Sequence, residues 1–348
     1  MANDMKHMNL VSVFISFLLL IHTSCEKEDK KVDYSGTYCL NIQNLEMIIV
    51  QEDGELTFTV QNDLLVDGSG SMAGDTLVLN ARTSGAETFT CKVAFTDDLQ
   101  QFSGPYAITD DLGRVFSSGI LVGIKGKCAT YNMDLYGVPK FIESDFTQLD
   151  RIAQISKFRS GAGHSFTDGT ESCRSMKHYF SPFAEYRENH TVEIFSPVNG
   201  SITSVLNDGH GASDGLTNKV IQIRPDDQPA FTCEFFHCDL VSAAVVTGKK
   251  VQAGELLGHA RLYYDDLDEY AFSFDVAVWA QTPSGPRLLS YFDALTDDVF
   301  GHYVSRGIES KGDLIISKEA RDADPIQCDA DEFLSGGTLE NWVTLSSN

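Results

Sequence analysis

Nine histidines carry most of the chemical potential of this sequence. Imidazole both ligates metals and exchanges protons near neutral pH. None lies between Val32 and Gly163, which excludes histidine-based metal or general-base chemistry from that stretch. Beyond it, His164 and Asp168 form a His-x3-Asp pair. His178 lies in Ser175-Met176-Lys177-His178-Tyr179-Phe180, His210 in Asp208-Gly209-His210-Gly211, and His237 in Phe235-Phe236-His237-Cys238-Asp239-Leu240. Taken singly, His178 reads as a surface or hydrogen-bonded residue, His210 as part of a solvated loop and His259 as turn chemistry. Cys233 and Cys238 form a Cys-x4-Cys pair with no second pair at suitable spacing, so they are not a zinc knuckle. Cys173 near His178 has the types of a nucleophile and base, but an isolated pair of this kind reads as a disulfide or buried thiol.

Five pieces follow in order between Arg159 and Tyr303. They are Arg159 to Asp168; the two strands around Pro197-Val198-Asn199-Gly200; Val220-Ile221-Gln222-Ile223 with the His237 strand; Val246 to Gly258, where two glycines flank Lys249-Lys250-Val251-Gln252-Ala253; and Ala271-Phe272-Ser273-Phe274-Asp275-Val276. This order resembles the lysostaphin-type (LytM-like) zinc endopeptidases, which cut peptide cross-bridges of peptidoglycan. The resemblance implies a two-sheet antiparallel β sandwich around a groove. It also implies that His164 and Asp168 are residual zinc ligands and that His237 is a vestigial catalytic histidine. The family's His-x-His tripeptide aligns with Ala271-Phe272-Ser273, so Ser273 stands where the third ligand belongs and Ala271 where a water-activating histidine belongs. Asp275 takes the place of a family Glu, with a structural hydrogen-bonding role.

Catalytic zinc normally needs three protein ligands and a water, whose pKa it lowers to about 7. One His and one Asp leave zinc weakly bound or absent, and a lost general base costs about 10²–10⁴ in rate. A substitute ligand would come from His178, from His210 or from the acidic run Asp265-Asp266-Leu267-Asp268-Glu269. The leading expectation is a degenerate, non-catalytic binding or regulatory module for peptidoglycan or an envelope protein. The rivals are an active zinc endopeptidase with a rebuilt metal site, and a glycan- or lipid-binding surface lipoprotein acting through its N-terminal half.

The elements that must position these residues follow from pattern. From Tyr34 to Cys128, segments near 36–43, 45–51, 55–61, 64–72, 75–82, 87–96, 101–108 and 115–124 alternate apolar and polar residues between turn signals such as Glu52-Asp53-Gly54. About eight strands with hairpin-length links predict an antiparallel barrel or sandwich, and the Gly36-Thr37-Tyr38 opening resembles a lipocalin-like barrel. A filled interior is favoured over a ligand cavity.

Met1 to Ser24 reads as a signal segment, with the apolar run Leu10–Ile21 too short to span a membrane. Thr23 and Ser24 before Cys25 resemble a bacterial lipoprotein signal, which implies lipidation at Cys25 and a charged tether over 25–33. The resulting organisation is signal 1–24, tether 25–33, barrel-like domain 34–128, linker 129–150, peptidase-like domain 151–310 and C-terminal extension 311–348. The chain is expected to be all-β and held on the cell envelope by its lipid, periplasmic or surface-exposed. Export makes disulfides available to the other seven cysteines, an odd number that leaves at least one thiol free or paired between chains. A net charge of −24 repels phosphate backbones and argues against nucleic acid as a partner.

Overall fold

The computed structural model describes residues 32–346 apart from 43–44, 61–64, 75, 84–86, 209–215 and 265–268. The signal, Cys25 and most of the tether, together with His210 and Asp265–Asp268, lie outside the described residues. Tyr34–Asn348 forms one compact unit, and its fold is all-β.

Eight strands build the first half: β1 (Gly36–Leu40), β2 (Glu46–Glu52), β3 (Glu55–Val60), β4 (Leu65–Ala73), β5 (Thr76–Thr83), β6 (Thr88–Phe95), β7 (Gln101–Thr109) and β8 (Val115–Lys125). Each pairs antiparallel with the next, and β8 returns to β1 with Cys39 opposite Ile124, closing a barrel. Closure removes the exposed edges that an open sheet of this size would present. Asp53 and Gly54 both take positive φ, as the tight β2–β3 hairpin requires. Alternation sets the inside. Leu56, Phe58 and Val60 point in from β3, as do Leu77, Leu79 and Ala81 from β5. Tyr38, Phe58, Phe89, Phe102 and Tyr106 fill the interior, each large side chain contributing about 1.5–3 kcal/mol. Gly123 makes room for one of them, since a Cβ there would lie 2.2 Å from the Phe102 ring. A disulfide between Cys39 and Cys128 ties β1 to the chain just beyond β8.

The second half contains β9 (Ile152–Ser156), β10 (His178–Pro182), β11 (Glu193–Phe195), β12 (Gly200–Asn207), β13 (Lys219–Pro225), β14 (Phe231–Leu240), β15 (Lys250–Val251) and β16 (Leu256–Ala260). The hairpin of β17 (Tyr263–Tyr264) and β18 (Glu269–Tyr270) precedes β19 (Phe274–Thr282) and β20 (Gly285–Leu289). A second hairpin, β21 (Cys328–Asp329) and β22 (Glu332–Phe333), and the terminal β23 (Trp342–Thr344) complete the strands. Their hydrogen bonds give one branched antiparallel sheet, in the order β15-β12-β13-β14-β19-β10-β9-β23, with β11, β16 and β20 off this path. The branch lies in β14. Its first half pairs with β19 as far as Phe235, and from Cys238 onward it takes up β16.

Residues 129–150, expected as a linker, are part of the second core. Phe141, Ile142, Phe146 and Leu149 are buried in it, and Ile142 bridges to Leu295. Four large apolar side chains in so short a stretch bury too much surface to remain a loose connection. The expected C-terminal extension is built in as well. β23 pairs with β9, Leu314 and Leu345 join the core, and Cys328 is bonded to Cys173.

The two halves meet where β8 lies against β12. Leu206 packs on the barrel core, and a Cβ on Gly119 would come within 2.8 Å of it. Asn41 joins the halves: its Nδ2 donates to the carbonyls of Ile120 and Thr203, while its Oδ1 accepts from Val122 N. Asn207 Nδ2 donates to Ser118 Oγ at 2.6 Å.

Candidate functional site

On one face of the second sheet, a short apolar cluster of Phe158, Met176, Ala277, Trp279 and Leu288 is extended by the rings of Phe166 and Phe236. Above it runs a chain of ionisable groups. Tyr179 on β10 stands opposite Asp275 on β19. Lys177, the residue just before β10, turns its ammonium to the same side, 5.3 Å from the Tyr179 ring. The Lys177 ammonium lies 2.6 Å from Asp275 Oδ2, with both side chains almost wholly inaccessible. It also sits 4.2 Å above the Phe236 ring and 4.6 Å above that of Phe166. Burial alone would lower the Lys177 pKa, but the Asp275 carboxylate beside it outweighs burial and holds it above the ordinary lysine value. The group is an ammonium.

His164 meets that ammonium from the other side, with Nε2 3.2 Å from Lys177 Nζ. The network assigns its tautomer. Nε2 accepts from the ammonium, and Nδ1, 3.1 Å from the Ser165 carbonyl, carries the proton. Burial first, and the Lys177 charge second, hold the imidazole below its ordinary pKa. Asp331, carried on the C-terminal segment, lies 3.9 Å from Nδ1.

His237 extends the chain in the opposite direction. Its backbone takes a positive φ of 57° where β14 exchanges β19 for β16. Local irregularities of this kind re-aim a side chain. His237 Nε2 lies 3.5 Å from Asp275 Oδ1, and Nδ1 lies 2.8 Å from Asp208 Oδ2. Burial would lower the His237 pKa; the hydrogen bond to Asp208 and the charge of Asp275 outweigh it and raise the value. Asp208 is held below the usual carboxylate range because His237 more than offsets its burial. The sequence His164, Lys177, Asp275, His237, Asp208 thus links the approach to β10 with β19, β14 and the end of β12.

Asp168 lies apart from this chain. Its Oδ2 accepts from Arg287 Nε at 3.0 Å and Leu288 N at 2.9 Å, and its Oδ1 from Thr170 N and Oγ1 at 2.9 and 2.6 Å. These hydrogen bonds outweigh burial and lower its pKa. The carboxylate pins the β20 strand to the loop after His164 and has no oxygen left for a metal. His178 faces the opposite side of β10. Nδ1 lies 2.8 Å from the Ser156 carbonyl, Nε2 lies 2.9 Å from Ser290 Oγ, and burial pushes its pKa down to about 4. It does not reach the His164 cluster as a substitute ligand. Ala271 and Ser273 precede β19 and bring no imidazole, and Phe272 between them is exposed.

Zinc does not fit these residues. The one imidazole lone pair of His164 that could bind a metal is engaged by an ammonium. Asp168 is spent on Arg287, and Ser273 is a poor donor. Among the described residues no group of three or more His, Cys, Asp or Glu is arranged to hold a metal ion. What the arrangement can do is fix a permanent internal cation between an imidazole and a carboxylate. Lys177, Asp208 and Tyr179 are the participants that pattern reading passed over. The available signal was a lysine two residues from a tyrosine, in a segment otherwise apolar enough to be a buried strand.

No protein-family model matches the chain, and no curated protein matches it in sequence. Among solved structures it is similar to Csd3 of Helicobacter pylori in an orthorhombic crystal, at 12% identity and a TM-score of 0.29, covering 76% of this chain and 56% of that one. The hexagonal crystal form of Csd3 aligns at 9% identity and a TM-score of 0.26, covering 76% of this chain and 80% of that one. The chain therefore spans a little over half the length of the first of these. Overlaps of this extent assign it neither a family nor an activity.

Proposed function

We propose that this chain is a bacterial cell-envelope lipoprotein, anchored through Cys25, whose lysostaphin-like half binds peptidoglycan or an envelope protein without cleaving it. The observation that carries this reading is the Lys177 ammonium, 3.2 Å from His164 and 2.6 Å from Asp275. A fixed positive charge at this spot repels a divalent ion, and an ammonium cannot lower the pKa of a bound water as zinc does. The lysine supplies the cation that keeps His164 and Asp275 in register, so the scaffold persists while the hydrolytic water is lost. A rebuilt zinc site has less support, because Asp168 and His178 are both satisfied elsewhere.

Two measurements test this. Calorimetric titration with zinc is expected to give no tight 1:1 site, and incubation with purified peptidoglycan sacculi is expected to give co-sedimentation without release of soluble stem peptides. Tight stoichiometric zinc binding, with peptide release abolished by His164→Ala, would overturn the reading. The anchor is tested separately: Cys25→Ser is expected to release the protein from the membrane fraction.

A further inference from the structure

The C-terminal segment that reaches His164 is built as a flap over residues 324–339. Asp324 closes its base: the carboxylate accepts from Thr338 N at 2.8 Å and Leu339 N at 3.0 Å, and Arg321 Nη1 reaches it at 3.1 Å. Arg321 is itself buried and donates through Nε to the Arg159 carbonyl at 2.8 Å, which fixes the base to the body. A loop whose ends are pinned together in this way can move as one piece. Between the pinned ends the flap buries little: of residues 325–338, Ile326 alone is buried. The β21–β22 hairpin forms the tip, turning through Ala330 at a positive φ of 53°. The flap lies on the segment that carries His164. Ser165 N donates to the Asp331 carbonyl at 2.6 Å, the Asp331 carboxylate faces His164 Nδ1, and Gly336 backs onto Gly161, where a Cβ would come within 2.9 Å of it. A disulfide ties Cys328 in the hairpin to Cys173 on the body.

We propose that the Cys173–Cys328 bond is a redox latch, whose reduction releases the flap from the His164 segment and widens access to the ionic face. Closed, the flap stands on the Nδ1 side of His164 while Lys177 holds the Nε2 side. Cys173 lies in the stretch between these two residues and takes a positive φ of 53°, a conformation that a Cβ disfavours. Opening the bond therefore frees the hairpin and relaxes the turn that holds it. The chemistry is exchange with a dithiol reductant. A reductant thiolate attacks one sulfur, the S–S bond breaks, both protein sulfurs end as thiols, and the reductant leaves as its own disulfide. Access favours this bridge over the other, since Cys173 and Cys328 are both half-buried whereas Cys128 is buried. The contacts at the base use Arg321, Asp324 and Arg159 and persist without the bond, so the flap swings rather than unfolds. The gating rests on the reading that this face binds an envelope ligand; the latch itself does not.

The test uses the Tyr34–Asn348 unit, which carries both cores and both disulfides, and compares it with the double variant Cys173→Ser, Cys328→Ser. Hydrogen exchange read by mass spectrometry is expected to show the Ser165 amide and the 326–334 segment exchanging about tenfold faster or more in the variant, the scale of one lost hydrogen bond, with β14 and β19 unchanged. Dithiothreitol is expected to produce the same change in the unmodified protein, and reoxidation to reverse it. Cys39→Ser with Cys128→Ser opens the other bridge and is expected to leave Ser165 as it was. Unchanged exchange at Ser165, faster exchange spread through β14 and β19, or an equal effect from opening the barrel bridge would overturn the latch. Co-sedimentation with peptidoglycan sacculi is expected to rise when the latch is open. Faster exchange with unaltered co-sedimentation would overturn the gating. Absence of co-sedimentation in both states would overturn the binding reading and the gating with it, while the exchange result still decides the latch.

Discussion

Replacing Lys177 by Met is the sharpest probe of the ionic chain. Methionine keeps the unbranched stem over Phe166 and Phe236 and removes only the charge. Asp275 is then left wholly buried without the ammonium 2.6 Å away. Breaking a buried pair from one side costs about 3–5 kcal/mol, because the surviving charge has lost both water and partner. His237 remains 3.5 Å from the other carboxylate oxygen, as a second polar neighbour of Asp275. That places the expected cost at the lower end, about 3 kcal/mol. With melting moving roughly 2–4 °C per kcal/mol in a domain of this size, the shift is about 6–12 °C. Urea unfolding followed by tryptophan fluorescence reads this half of the molecule directly, since both tryptophans, Trp279 and Trp342, lie in it. Asp275→Asn alone is expected to be damaging for the mirror-image reason. Lys177→Met combined with Asp275→Asn removes both charges, so its cost should fall short of the sum by about 2 kcal/mol or more. A cost for Lys177→Met below about 1 kcal/mol, or strict additivity in the double variant, would refute the claim that the ammonium holds the site together.

Asp168→Ala should destabilise by about 2–4 kcal/mol in the same assay through loss of the contacts to Arg287, Leu288 and Thr170, while leaving zinc affinity unchanged; a fall in zinc affinity would restore it as a ligand. His178 is buried neutral with its pKa near 4, whereas in the unfolded chain it titrates near 6.5. Its contribution to stability is therefore complete above pH 6.5 and is lost as pH falls toward 4, by about 3 kcal/mol. His178→Phe should remove that component from the stability–pH profile, and an unaltered profile would show that the ring is solvated. Ellman titration of Tyr34–Asn348 should find no fast-reacting thiol in the native state and three after unfolding without reductant, Cys91, Cys233 and Cys238; rapid native reaction would contradict their burial. Burial pushes Cys91 and Cys233 up to about 12, so neither presents a thiolate at neutral pH.

What the sequence disclosed and what it withheld divide along the range of the interactions. The barrel strands were readable because alternations such as Leu56, Phe58 and Val60 are local, and each strand pairs with its sequence neighbour. Residues 271–273 could be placed because the Phe274-to-Val278 alternation just after them marks a strand. Lys177 escaped because its partner lies far along the chain. Only the register of β10 on β19, with Tyr179 opposite Asp275, brings the two together. A lysine next to a strand whose residues are all buried is an anomaly that composition cannot reveal, since charged residues are counted as surface by default. Asp168 carried the right spacing to His164, but spacing does not say which neighbour claims the carboxylate. Arg287, more than a hundred residues later, does. The burial of Phe141, Ile142, Phe146 and Leu149 was hard to read because the polar residues between them dilute the apolar signal that the tertiary packing uses.

The pairing of β23 with β9 has a bearing on how the molecule is made. In a chain that emerges amino end first, the eight barrel strands have all their pairing partners once Lys125 is out, and the closing disulfide once Cys128 follows. The other half must wait, because Trp342–Thr344 form the last row of its sheet and Cys328 the anchor for Cys173. Biosynthesis thus runs as an early event and a late one, the first finished body standing beside a half-built sheet whose β9 edge stays open until Thr344 appears.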